Sequence, residues 1–177
     1  MSSFSYADFK IFAGATNIND DMYATIAKGV IAYVKNQYRL YLTSEDIEWT
    51  TFLASGTVSY TPIVAPINAI IAVWYDYDLL DFTYYGDDIE LTTTLTDYRK
   101  PIKLTMDVGY ADGELPDDLR LAVYRHIIAV YQAIDKHTDN ISKVNNTDGN
   151  TTFYISDAIP IAVKMTYEFY ASSLISF

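Results

Sequence analysis

Lys103-Leu104-Thr105-Met106-Asp107-Val108-Gly109-Tyr110-Ala111-Asp112-Gly113-Glu114-Leu115-Pro116-Asp117-Asp118-Leu119 is the stretch whose reading decides the fold. Leu104, Met106 and Val108 alternate with Lys103, Thr105 and Asp107, the period of a strand with one buried face. Asp112-Gly113 then gives a turn signal. Pro116 suits a helix start, because its fixed φ fits and its missing N–H would have no partner there. Asp117 and Asp118 place negative charge at the positive end of the helix dipole. Leu119, Ala122, Val123, Ile127, Val130, Tyr131 and Ile134 follow at steps of three and four and form one apolar stripe. Lys136 and His137 are expected to close that helix at its negative end.

Upstream, Asn19-Asp20-Asp21 reads as a second helix start, with a capping residue ahead of two acids. Ile26, Val30, Tyr33, Val34, Tyr38 and Tyr41 carry an apolar face to about Leu42. Residues 1–18 are ambiguous: Phe4, Tyr6, Phe9, Ile11 and Phe12 suit a short helix or an arm, with a loosely packed terminus as the favoured reading and an arm reaching a neighbouring subunit as the alternative. Ile47 to Ala54 suits either a short helix or a strand. From Thr57 to Tyr110 the pattern is β. Asn68 to Tyr77 forms a strand, Asp78-Leu79-Leu80-Asp81 a hairpin connection, and Phe82 to Tyr85 and Ile89 to Leu95 further short strands. Thr138 to Thr152 is rich in Asn, Thr and Asp and is expected to be a long exposed loop. Pro160 opens a last helix with Val163, Tyr167, Tyr170 and Leu174 on one face. Met165, Phe169 and Ile175 add apolar surface away from that face.

The fold class expected is therefore α+β: long helices packed together with a small inserted antiparallel sheet. The expected organisation is an N-terminal arm over 1–18, a core of helices and sheet over 19–137, an exposed loop over 138–159 and a docking helix over 160–177. The interface residues expected on that helix are Val163, Tyr167, Phe169, Tyr170 and Leu174.

The chain has 177 residues and a formal net charge of −11. Such a balance argues against gripping a phosphate backbone, which takes clustered Lys and Arg. Seventeen tyrosines exceed the twelve Lys plus Arg and suit large, partly wet contact surfaces. There is no cysteine, which removes disulfides, thiolate metal sites and cysteine nucleophiles together. No secretion signal is visible at Met1-Ser2-Ser3-Phe4, so the default expectation is a soluble intracellular product. The longest apolar run, Ile63 to Tyr75, is shorter than the ~20 residues that span a bilayer, so no membrane partner is expected. Asn140-Ile141-Ser142 and Asn150-Thr151-Thr152 read as chance glycosylation matches in a polar loop.

Catalytic chemistry has few candidates. His126 and His137 are the only histidines; His126 is expected at a surface or interface, and His137 as a helix cap. No nucleophile elbow, P-loop or H-E-x-x-H pattern occurs. The acidic pairs Asp20-Asp21 and Asp117-Asp118 belong to helix starts. Asp107 to Leu119 fails as a calcium loop, because Val108 and Leu119 stand where oxygen ligands are needed. No catalytic residue, metal site or cofactor is expected, and the chain is read as a non-enzyme. Trp74, Tyr75 and Tyr77 could stack on sugars, but neighbouring strand residues point to opposite faces.

The order of these motifs resembles that of the head–tail connector, or adaptor, proteins of tailed bacteriophages. Gly109-Tyr110-Ala111-Asp112-Gly113 matches their G-Y-x-x-G strand end, and Leu115 to Ala122 their L-P-x-x-[LI]-[KR]-x-A helix start. Ala65-Pro66-Ile67-Asn68-Ala69-Ile70 is a looser match to their Pro-led strand entry. The likeness covers roughly Asn19 to Ile134. It implies a structural virion protein made in the host cytoplasm and located at the head–tail junction. There it would form a ring, expected as a dodecamer, beneath the portal protein, extend the DNA channel and offer a surface to the next neck or tail protein. DNA would pass without specific binding. The alternative from another class is a carbohydrate- or peptide-binding β module using surface Trp and Tyr.

Overall fold

The structure is a computed structural model and describes residues 4–14, 17–85, 88–135, 142–145, 151–154 and 159–172. In chain order the elements are α1 (Tyr6–Ala13), α2 (Asp20–Tyr38), β1 (Glu45–Thr51), β2 (Ser59–Tyr60), β3 (Ile67–Tyr75), β4 (Asp78–Leu80), β5 (Phe82–Tyr85), β6 (Asp88–Leu91), β7 (Ile102–Val108), α3 (Asp117–Asp135), β8 (Ser142–Asn145), β9 (Thr151–Tyr154) and α4 (Ile161–Ser172). The class is α+β, with every strand pair antiparallel.

The helices start where their caps dictate. Asn19 Oδ1 accepts the Met22 N–H at 2.8 Å, satisfying one of the first-turn donors of α2. Arg39, in the left-handed region at φ 55, ends that helix. The Pro116 carbonyl accepts the first α3 bond from the Arg120 N–H at 2.9 Å, so the proline stands just ahead of the helix and its missing N–H leaves nothing unpaired. The α3 stripe is buried from Leu119 through Ile127 to Val130 and packs in one apolar cluster with Tyr23, Ile26, Val30 and Val34 of α2. Lys136 and His137 lie outside the described residues.

The β segment builds more than the single small sheet expected. A four-stranded sheet has the order β1-β7-β3-β4, and a three-stranded one the order β2-β6-β5. Ile102, Leu104, Met106 and Val108 point from β7 to the inner side. There they share a second apolar cluster with Val73, Ile89 and Leu91. Of the Ile47 to Ala54 stretch, residues 47–51 form the second part of strand β1, since pairing with β7 places Ile47 beside Met106 and Trp49 beside Leu104. The hairpin expected at Asp78–Asp81 turns two residues earlier. Asp76 and Tyr77 sit at φ 50 and 74, as a two-residue type I′ turn requires, and Asp78–Leu80 is itself a strand. The β propensity of tyrosine had placed Tyr77 inside β3.

Three further expectations are corrected. Of the readings for residues 1–18, the short helix forms, as α1 ending at Gly14, and the part described is neither loose nor an arm. Ser5 caps α1, Phe9 is fully buried between Tyr23 and Tyr124 with ring centroids 4.7 and 5.6 Å away, and the Tyr23 hydroxyl donates to the Phe4 carbonyl at 3.1 Å. The segment expected as loop contains the antiparallel pair β8–β9, with Val144 opposite Thr152. His126 is in the core, at 3% exposure.

Gly109 joins the two layers. Its N–H donates to the Pro66 carbonyl at 2.9 Å, its carbonyl accepts from the Asn68 side chain at 2.8 Å, and the next carbonyl, of Tyr110, accepts the Ser44 N–H at 2.9 Å. At φ 92 it occupies backbone space that L side chains avoid. The strand-end motif of the sequence is thus the place where the chain leaving α2, the entry to β3 and the exit from β7 cross.

Candidate interaction surfaces

The buried histidine is engaged in structure. Among the described residues, no group of three or more His, Asp or Glu could hold a metal ion. His126 on α3 meets the Tyr33 ring edge-on at 5.5 Å, and its Nδ1 lies 3.3 Å from the Tyr167 hydroxyl. Tyr38 packs on Tyr167 at 5.4 Å. These four aromatic side chains bring α2, α3 and α4 together. Burial pushes the His126 imidazole down to about 4 and the Tyr167 phenol well above its usual value.

The unfolded chain binds a proton on His126 below its ordinary value near 6.5, whereas the folded chain does so only near 4. Stability therefore falls as pH drops through that window, by about 3 kcal/mol from this group. Thermal unfolding at pH 7 and pH 4.5 should show a smaller acid loss for His126→Phe than for the parent chain. Equal losses would place the titration elsewhere.

The last helix divides the expected interface residues. Val163 and Tyr167 are buried within the chain, in the cluster built by α2 and α3, so they are not free to meet a partner. Tyr170 is half-buried beside the same cluster, and its hydroxyl donates to Asp118 Oδ1 at 2.6 Å. Burial first and that carboxylate second raise the Tyr170 phenol to about 12. Leu174 and Ile175 lie outside the described residues. What remains outward is a different stripe: Ile161, Met165 and Phe169, at steps of four, are 77%, 62% and 64% exposed. Residues four apart share one helix face, so α4 is apolar on two sides: Val163 and Tyr167 are buried, whereas Ile161, Met165 and Phe169 are largely exposed, Phe169 packing edge-on against Tyr170 at 5.4 Å.

A second exposed apolar surface runs along the β3–β4 hairpin. Cross-strand partners put Thr50, Lys103, Trp74 and Leu79 in one row across the four-stranded sheet, on the face opposite its core. Trp74, Leu79 and the bulge residue Ile71 are exposed there. Trp74 and Tyr75 face opposite ways, as alternation demands, and Tyr75 is tied inward by accepting the Asp97 N–H at 2.7 Å. At the hairpin tip Tyr77 is 92% exposed. Lys100 forms a salt bridge with Asp76 beside it.

At the other end of the molecule a groove of about 560 Å³ follows α2. Ala24, Ala27, Lys28, Ile31 and Ala32 line it, together with Asp20, Phe4, Tyr6 and the Lys35–Glu45 ion pair (2.8 Å). The hairpin tip and this groove escaped the sequence reading. The positive φ at Tyr77 has no sequence signature, because Asp-Tyr is not a turn dipeptide, and the groove depends on where residues 4–6 pack.

No protein-family model matches the chain, and no curated protein matches it. Solved structures do. A chain in the structure described as the virion of a native gene transfer agent (GTA) particle superposes with a TM-score of 0.66 at 14% identity, covering 95% of this chain and 89% of that one. The shared property is the fold. A chain in the neck of a native GTA particle, computed with C12 symmetry, gives 0.60 at 14% identity over 91% and 86%. One in the neck of an empty GTA particle, computed with C6 symmetry, gives 0.60 at 15% identity over 73% and 78%.

Proposed function

We propose that this chain is a structural virion protein of the neck, a head–tail adaptor that forms a ring beneath the portal, extends the DNA channel and presents a surface to the next neck or tail component. The observation that carries the reading is the likeness, over nearly the whole of both chains, to a chain from a virion structure, together with likeness to chains from necks computed with six- and twelve-fold symmetry. The order of the Gly109–Gly113 and Leu115–Ala122 motifs supports it independently. So does the net charge of −11, since an acidic conduit does not hold the polyanion that passes through it.

In this reading α4 carries the portal contact. Val163 and Tyr167 anchor the helix inward, and the Ile161–Met165–Phe169 stripe is what the portal covers. The double variant Met165→Asp/Phe169→Asp tests this. It should keep its unfolding free energy within ~0.5 kcal/mol, as exposed sites do. Its co-sedimentation with a candidate portal protein from the same genome should weaken about 100-fold, the effect of losing a central apolar anchor. Unchanged portal binding by that variant would remove α4 from the contact. A parent chain that never binds portal would remove the adaptor reading itself.

A further inference from the structure

A ring of identical subunits needs two different surfaces on each copy, one that reaches and one that receives. We propose that the β3–β4 hairpin tip of one copy seats in the α2 groove of the next, with Tyr77 between the groove alanines and Asp78 against Lys28. This rests on the ring reading above and adds the residues that make the contact.

The hairpin tip has the features of a reaching element. Tyr77 holds a left-handed conformation at φ 74, which costs a non-glycine residue about 1 kcal/mol or more. Glycine would relieve that strain and would remove the ring. A large aromatic side chain kept there at 92% exposure gains nothing inside its own chain. Asp76 is fixed beside it by Lys100, so the tip is presented rather than loose. Asp78 follows at once and forms no salt bridge among the described residues.

The groove has the complementary features. Its walls are small and apolar at Ala24, Ala27 and Ala32, which leaves room for an aromatic ring, and its volume of about 560 Å³ accepts a side chain with adjoining backbone. Lys28 is exposed on the groove wall and, like Asp78, forms no salt bridge among the described residues. An acid-flanked aromatic thus meets an alanine-lined groove whose charged side chains are Asp20, the Lys35–Glu45 pair and Lys28, the last forming no salt bridge among the described residues.

The two features cannot meet within one chain. The register sets Glu45, on the groove, opposite Val108, whereas Tyr75, beside the tip, stands opposite Ile102 at the other end of the same strand. Six residues of strand separate those ends, about 20 Å at ~3.4 Å per residue. The tip can therefore reach the groove only of another copy, and a contact between two unlike surfaces repeats from copy to copy, giving a ring where its rotation closes.

The absence of cysteine allows a clean test. Lys28→Cys and Asp78→Cys are placed in one chain, the protein is assembled alone or on the portal, and it is treated with a short bis-maleimide. The expected product is a covalent ladder that passes the dimer and stops at the ring size, while each single variant stays monomeric. In parallel, Lys28→Glu should weaken assembly about tenfold or more, and Lys28→Glu/Asp78→Lys should restore it. Tyr77→Gly should raise thermal stability while weakening assembly. If the parent chain forms rings, and the double-cysteine chain gives nothing beyond dimers or these variants assemble as the parent does, the contact is wrong and the ring reading stands. A parent chain that forms no ring even with portal overturns both.

Discussion

Gly109→Ala should destabilise the protein by about 4 kcal/mol or more, at the exceptional end of single-substitution effects. A Cβ at this position would lie 2.0 Å from the Thr43 carbonyl oxygen and 2.6 Å from its carbon. Both are backbone atoms, so no side chain can swing away. Relief would need the segment entering β1 to retreat, and that would break the Ser44-to-Tyr110 and Gly109-to-Pro66 hydrogen bonds that hold the helical layer to the sheets. The φ of 92 adds its own penalty for any L side chain. Urea unfolding of the purified variant measures the effect. A loss below ~1 kcal/mol would mean that the two layers are not joined at this crossing.

Ile127→Asp should cost a similar amount for a different reason. Ile127 is fully buried midway along α3, in the cluster shared by α1, α2 and α4. The substitution removes a side chain whose loss to alanine alone costs about 2–5 kcal/mol. It also places a carboxylate among apolar side chains, where ionisation is opposed. Ile127→Val, which keeps the shape and loses one methylene, should cost only about 0.5–1.5 kcal/mol. Chemical unfolding of the pair separates packing from charge. A change below ~0.5 kcal/mol for the aspartate variant would put Ile127 on an exposed face.

Local signals that agree with one another were readable from sequence, and pairings between distant segments were not. The β7–α3 unit carries its own alternation, turn and helix start, and it forms as those signals indicate. Asn19 caps α2 for the same reason. Residues 4–13 gave only a short amphipathic pattern, because what buries Phe9 is the pair Tyr23 and Tyr124, far along the chain. His126 reads as a polar interruption beside an apolar stripe. Its partner Tyr167 lies 41 residues away, and only the packing of α4 shows that the imidazole belongs inside. The same packing decides which side of α4 faces out. The sequence shows apolar residues on both sides, and the contact of Val163 and Tyr167 with α2 and α3 turns Ile161, Met165 and Phe169 to the exposed side.

Single-particle electron microscopy of the chain mixed with a candidate portal protein from the same genome tests the adaptor reading most directly. The account predicts a closed ring of this chain, coaxial with the portal and open along its axis, with α4 at the portal side. A chain that stays monomeric and adds no density to the portal would contradict it.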